Sequence, residues 1–132
     1  MAKMIKFTAE LQVVPFPRPS TKGKRRYNPK RYTDFKNALG YIALGEMRGR
    51  EKIKGAFKIS AVFYKKSRYK VTDQKFGDTD NFVKSVLDAL QGICYKNDSQ
   101  CVDFGRLKKI KSENPRIIIE LEEVEENDYV EN

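Results

Sequence analysis

Ile5, Phe7, Ala9, Leu11 and Val13 alternate with Lys6, Thr8, Glu10 and Gln12, which predicts a strand with one buried face. Pro15, Pro17 and Pro19 end it. Thr33 is a candidate helix N-cap. Phe35, Ala38, Leu39, Ile42, Ala43 and Met47 follow at helical spacing, so a helix is expected over about 33–48. Gly40 and Gly45 weaken it by roughly 1 kcal/mol each relative to Ala. Phe57, Ile59, Ala61 and Phe63 alternate with Lys58 and Ser60, a second strand near 56–64, and Val62 and Tyr64 make its other face partly apolar. Helical spacing returns at Phe82, Val83, Val86, Leu87 and Leu90, and Gly92 stands where a helix usually stops. Residues 101–111 read as a third strand, Asn114-Pro115 as a turn, and the apolar run 117–121 as the last strand. No internal repeat is present. This order predicts an α+β fold: one domain, a small mixed or antiparallel β-sheet, and two main helices packed on it.

Composition narrows the function. At 132 residues the chain is long enough for one modest core. The formal charge is +9, but residues 122–132 hold six acids and no Lys or Arg. Without that −6, residues 1–121 carry +15 and form the expected folded domain. The acidic tail 122–132 has too little apolar content to fold alone. It is read as flexible: a shield for the basic surface, a protein contact, or a solubilising tail. A domain this basic expects a polyanion, and nucleic acid is the usual one. No stretch approaches the roughly 18 apolar residues of a membrane span. The first residues alternate too soon for a signal peptide, so a cytoplasmic location is expected. Cys94 and Cys101 are too few for a disulfide framework and are read as reduced and partly buried. There is no histidine. That excludes Ser-His-Asp triads and zinc sites built from histidine, so any hydrolysis must lean on carboxylates, lysine and metal.

The cations are grouped. Arg18, Lys22, Lys24, Arg25, Arg26, Lys30 and Arg31 lie in a Pro- and Gly-bearing loop without an acid, and Tyr27 and Tyr32 lie within or beside it. Such a loop can hold phosphates and stack unpaired bases, or be a solvated charge run. A second group, Lys65, Lys66, Arg68, Lys70 and Lys75 against the single acid Asp73, leads directly into Asp78. Tyr69 and Phe76 in this stretch could wedge into a branch point, but core packing is the expected role. Arg106, Lys108, Lys109 and Lys111 form a third group.

The chemistry concentrates in residues 76–100. Asp78 and Asp80 are two apart, which in an extended segment points both carboxylates to one side. Asp80 or Thr79 can cap the helix that follows. Its polar face carries Asn81, Lys84, Ser85 and Asp88. The Lys96-Asn97-Asp98-Ser99 cluster reads as a turn that lets Asp98 return toward the acid pair. Three converging carboxylates repel one another, and a hard divalent cation such as Mg2+ relieves this, with Mn2+ as a candidate substitute. Lys84, one turn after Asp80, can meet a phosphate oxygen or form a surface pair with Asp80. Asp88 sits roughly 12 Å along the axis from Asp80, too far for the same ion, and is expected to pair with Lys84 or make a dimer contact. Asp103 falls at odd spacing from Asp98 and is left out of the site.

Asp78-Thr79-Asp80-Asn81, then Lys84, then Asp88-Ala89-Leu90, then Asn97-Asp98-Ser99-Gln100 resembles the core signature of the RusA-type Holliday junction resolvases. These are small, dimeric, Mg2+-dependent endonucleases of branched DNA. The signature is specific in order and spacing, and a weaker resemblance extends over most of the chain. It implies that Asp78, Asp80 and Asp98 bind metal and that Lys84 assists catalysis. It also implies a homodimer that resolves four-way junctions by paired symmetric nicks in DNA recombination and repair. A two-fold dimer suits a junction that is itself nearly two-fold. One departure is that some members carry two acids in the turn, where this chain has Asn97 before Asp98. The rival from another class is a non-catalytic basic protein that binds branched DNA without metal. An RNA-binding module is weaker, because no RRM-like aromatic motif is present.

Overall fold

A computed structural model of the chain describes residues 3–17 and 29–131. Its main elements are β1 (Met4–Ala9), α1 (Lys30–Glu46), β2 (Phe57–Lys65), α2 (Thr79–Leu90), β3 (Cys101–Lys111) and β4 (Arg116–Glu123). Single 3-10 turns follow at Asp98–Gln100 and Glu126–Tyr129. The four strands form one mixed sheet in the order β1-β4-β2-β3. β4 pairs antiparallel with β1 and β2, and β2 pairs parallel with β3. A parallel pair needs a crossover, and α2 supplies it.

One face of the sheet is buried. Phe57, Ile59, Ala61 and Phe63 on β2 share it with Ile5 and Phe7 on β1 and Ile117, Ile119 and Leu121 on β4. α2 lays Phe82, Val83, Val86 and Leu90 into the same cluster, and α1 adds Phe35, Leu39 and Ala43. Each large apolar side chain so buried stabilises the fold by about 1.5–3 kcal/mol before entropic costs. The other face carries Lys58, Ser60, Val62 and Tyr64 half-buried, and no helix covers it among the described residues.

The differences from the expected boundaries have local reasons. β1 stops at Ala9, which pairs with Ile117, because β4 begins at Arg116 and the ladder runs out. Val13 stays fully buried without being in a strand. α1 starts at Lys30 rather than at Thr33, with Pro29 in the cap position. The extra turn makes Tyr32 the first residue of the buried row that continues through Phe35, Leu39 and Ala43. Gly40, which weakens the helix by propensity, faces Ile93 and the Ala89 carbonyl of α2, which a Cβ there would touch at 3.4 and 3.7 Å. β4 runs two residues past the expected domain edge at 121. Glu122 stands opposite Met4 and pairs with Lys58 at 3.3 Å, and Glu123 stands opposite Phe57. Farther on, the Tyr129 hydroxyl donates to Asp103 Oδ2 at 2.8 Å.

Candidate functional site

The inward row of β2 ends on a cation. Lys65 takes the position after Phe63 and is only 9% exposed. Its Nζ donates to the Phe76 carbonyl at 2.7 Å and lies 5.5 and 5.3 Å from the ring centroids of Phe76 and Phe82. From the neighbouring strand, Lys109 Nζ donates to the Gly77 carbonyl at 2.8 Å and lies 5.6 Å from the Phe76 ring centroid. Gly77 has φ +111°, and a Cβ there would come within 2.5 Å of the Phe82 ring, so only glycine fits. Asp78 follows in extended backbone at the N-cap position of α2, and its carbonyl accepts from the Phe82 N–H at 3.1 Å. Asp80 lies in the first helical turn. Both acids are exposed, at the helix end whose dipole favours negative charge. Asp78, rather than Thr79 or Asp80, takes the cap position, and strand alternation does not govern the pair because Asp80 is already helical.

Lys84 is exposed one turn along. At about 100° per residue, Asp80, Lys84 and Gln91 fall on one stripe of α2. The Gln91 side chain ends that stripe, and its Oε1 accepts the backbone N–H of Asp98 at 2.9 Å. Asp98 is therefore anchored at the far end of the helix. From Asp80 to Gln91 the axis rises roughly 16 Å. A second ruler agrees. Asp98 opens the short 3-10 turn that leads into β3 at Cys101, whereas Gly77 is tied to Lys109, eight residues along that strand from Cys101, roughly 26 Å in an extended strand. The return of Asp98 toward the acid pair does not occur within one chain. Among the described residues no group of three or more His, Cys, Asp or Glu side chains could hold a metal ion.

The rest of the turn is built to hold Asp98 out. Asn97 Oδ1 accepts from the Ser99 N–H at 2.9 Å, and Gln100 Oε1 accepts from the Asn97 N–H at 2.9 Å, a reciprocal capping box. Gln100 Nε2 then donates to the carbonyls of Ile53 and Gly55 at 3.0 and 2.9 Å. Asn97 thus serves as a cap through its side-chain oxygen.

A cleft of about 430 Å³ opens beside Asp78. Pro15, Phe16 and Pro17 form one wall, Arg31 and Tyr32 another, and Lys65, Lys75, Phe76 and Asn81 much of the remainder. The Phe16 N–H donates to the Asn81 carbonyl at 3.1 Å, which ties the segment after β1 to α2. Burial, followed by the charges of Arg31 and Lys109, pushes the Lys65 ammonium below its ordinary pKa.

The cations read as DNA contacts separate into groups. Arg18, Lys22, Lys24, Arg25 and Arg26 lie outside the described residues. Arg31 and Lys75 line the cleft, and Lys70 is exposed. Lys30 pairs with Asp34 at 2.8 Å and Lys66 with Glu113 at 3.4 Å, both on the surface. Arg68 and Lys75 lie 5.1 and 5.3 Å from the ring centroid of Tyr69. Lys65 differs from the expectation: its ammonium is buried against a carbonyl and two rings rather than solvated in a loop. Phe76 and Tyr69 pack on the core, as expected.

Two assignments on α2 change. Asp88 does not pair with Lys84. It accepts from the Tyr32 hydroxyl at 2.6 Å and pairs with Lys36 at 3.2 Å, joining α2 to α1. Tyr32, read as a base-stacking residue, is buried, and burial together with Asp88 raises its pKa. Ser85 is fully buried and donates to the Phe82 carbonyl, so it leaves the polar face. Lys109 was grouped only with the cations of β3. The signal for its special role was a cation on the inward row of a strand, as at Lys65.

The site thus comprises an acid pair at the start of α2 beside a cleft lined by Arg31, Lys65 and Lys75, carried on a four-stranded mixed sheet with two helices on one face. Residues 10–122 match the family model of endodeoxyribonuclease RusA, and the chain belongs to that family. YqaN, an uncharacterised protein of Bacillus subtilis strain 168, is 49% identical over 47 residues, 36% of this chain and 32% of that protein. The matched stretch thus spans about a third of that relative's length.

Proposed function

We propose that this chain is a Mg2+-dependent endodeoxyribonuclease that resolves Holliday junctions or related branched DNA by paired symmetric nicks. The observation that carries this reading is the family match over residues 10–122, which includes the acid pair beside the basic cleft. Oxygen ligands from two exposed carboxylates, completed by water and a substrate phosphate, are a set that Mg2+ accepts. Asp78 and Asp80 of one copy would hold the ion together with Asp98 of a second copy, since one chain keeps Asp98 at the other end of α2. A homodimer is therefore part of the proposal. When bound, the ion supplies a more acidic water and neutralises charge on the phosphate. Lys84, exposed one turn after Asp80, steadies negative charge on the phosphate or the leaving oxygen. Arg31 and Lys75 hold the neighbouring backbone at the cleft.

The first test is cleavage of a synthetic four-way junction against linear duplex of the same sequence, with Mg2+ and with EDTA, beside Asp80→Asn. Paired nicks confined to the junction, lost with EDTA and with Asp80→Asn while junction binding persists, are expected. Tight junction binding without a nick under any divalent metal would sink the nuclease reading and leave a DNA-binding protein.

A further inference from the structure

The Phe76–Gly77 turn is held from two strands. Lys65, the last residue of β2, and Lys109, on the parallel neighbour β3, each donate an ammonium hydrogen to one of two successive carbonyls. Both ammoniums also approach the Phe76 ring, at 5.5 and 5.6 Å. Asp78 is the next residue, and Gly77 reaches it through a positive φ, with the Phe82 ring standing where a Cβ would lie.

As a purely structural device this arrangement is costly. Two like charges are brought to one turn, with Arg31 acting on Lys65 as a third. Neutral amide donors could bond the same carbonyls without mutual repulsion, and removing ammonium groups from water carries a penalty that one carbonyl each repays only in part. Local features that work against stability are expected where function requires them. The function available here is geometric. A metal-binding carboxylate is useful only if its backbone is held, and such orienting contacts are worth about 10–100-fold in metal affinity. The turn also has no regular ladder of its own. Among the described residues, its N–H groups at Phe76 and Gly77 bond to the carbonyls of Asp73 and Gln74, the Phe76 ring packs in the core, and the two lysines hold the carbonyls.

We propose that Lys65 and Lys109 are positioning residues: their ammonium groups clamp the carbonyls of Phe76 and Gly77 and so set the direction from which Asp78 meets its metal. The proposal rests on the reading of Asp78 as a metal ligand. Methionine keeps the length and apolar packing of each stem while deleting the donor, so Lys65→Met and Lys109→Met are the informative variants, with Lys109→Arg as the rescue.

The experiment combines three readouts on the full chain: amide hydrogen exchange over residues 76–80, the Mn2+ concentration at half-saturation of binding, and kcat and KM on a four-way junction. Expected are faster exchange in this segment with the sheet amides unchanged, a rise of about 10-fold or more in half-saturating Mn2+, and a fall in kcat with KM for the junction little altered. Lys109→Arg recovers most of the loss. Unchanged exchange in both methionine variants overturns the clamp. Faster exchange with unaltered Mn2+ binding and kcat overturns its positioning role and leaves a structural contact. A higher KM at constant kcat assigns the lysines to DNA binding instead. Failure of the underlying reading looks different: wild-type protein would itself neither bind Mn2+ nor nick the junction, and Asp78→Asn would change nothing.

Discussion

Asp88 shows how a single side chain acquires its role from what faces it. By position it belongs to the conspicuous run of acids and amides in α2. By contact it receives the Tyr32 hydroxyl and the Lys36 ammonium, both from α1. Losing it leaves a buried phenol without its acceptor, which costs about 1–3 kcal/mol. Asp88→Ala should therefore lower the unfolding free energy by that amount, measured by denaturant titration. Cleavage per folded molecule, measured well below the midpoint, should persist at near wild-type level. A complete loss of cleavage in folded Asp88→Ala protein would place Asp88 at the metal instead. Asp80→Asn has the opposite signature: stability kept and cleavage lost.

At the scale of elements, the connection from α2 to β3 is organised by one buried ring. Tyr95 stacks on Phe57 with centroids 4.5 Å apart, and its hydroxyl donates to the Leu87 carbonyl in α2. The Gln91–Gln100 connection is thereby locked to the helix and to the sheet, which fixes where Asp98 stands. Burial, followed by nearby Cys94 and Asp98, raises the Tyr95 pKa above its ordinary 10.0. The sign follows. The folded state keeps the proton longer than the unfolded state, so the contribution is complete below pH 10 and shrinks as pH rises above it. Stability measured by denaturant midpoint should fall with pH above 10, and less steeply in Tyr95→Phe. That variant should also lose about 1 kcal/mol at neutral pH, the usual worth of one hydrogen bond. A Tyr95→Phe curve that parallels wild type above pH 10 would contradict this account.

The whole molecule poses the question of how many chains make one site. α2 separates Asp80 from Asp98 by its own length, and a twelve-residue helix does not bend its ends together. If the acids of two copies combine, mixing has a definite outcome. Asp80→Asn and Asp98→Asn chains are each inactive alone, yet their heterodimer contains one site with both native acids. Re-associated mixtures should nick junctions on one strand, a product readily resolved on a denaturing gel. No nicking by the mixture, with heterodimers verified by mass, would confine each site to one chain. Charge acts on the same scale. With +15 on residues 1–121, junction affinity should fall linearly on a log–log plot against salt, and Lys75→Gln should reduce the slope by about 1 if Lys75 contacts a phosphate.

Much of this was legible in the chain itself. Period-two spacing located β1 and β2 and helical spacing located both helices, because burial on one face imposes the repeat, while β3 and the short apolar run of β4 were read without a repeat. The Asp78-x-Asp80 pair, the Lys84 one turn later and the Asn97–Gln100 turn were visible as a pattern because they lie within one short segment. Tertiary structure alone decided what each of them faces. It turned Tyr32 inward to Asp88, set Lys65 and Lys109 on the carbonyls before Asp78, and made Asn97 and Gln100 the frame of a turn. It also placed Asp98 at the opposite end of α2 from the acids it resembled in kind. The physical reason is that periodicity records which side of an element is buried, whereas a site depends on through-space distances between elements. Those distances come from the length of a helix and the register of a parallel strand pair, not from the spacing of residues along the chain.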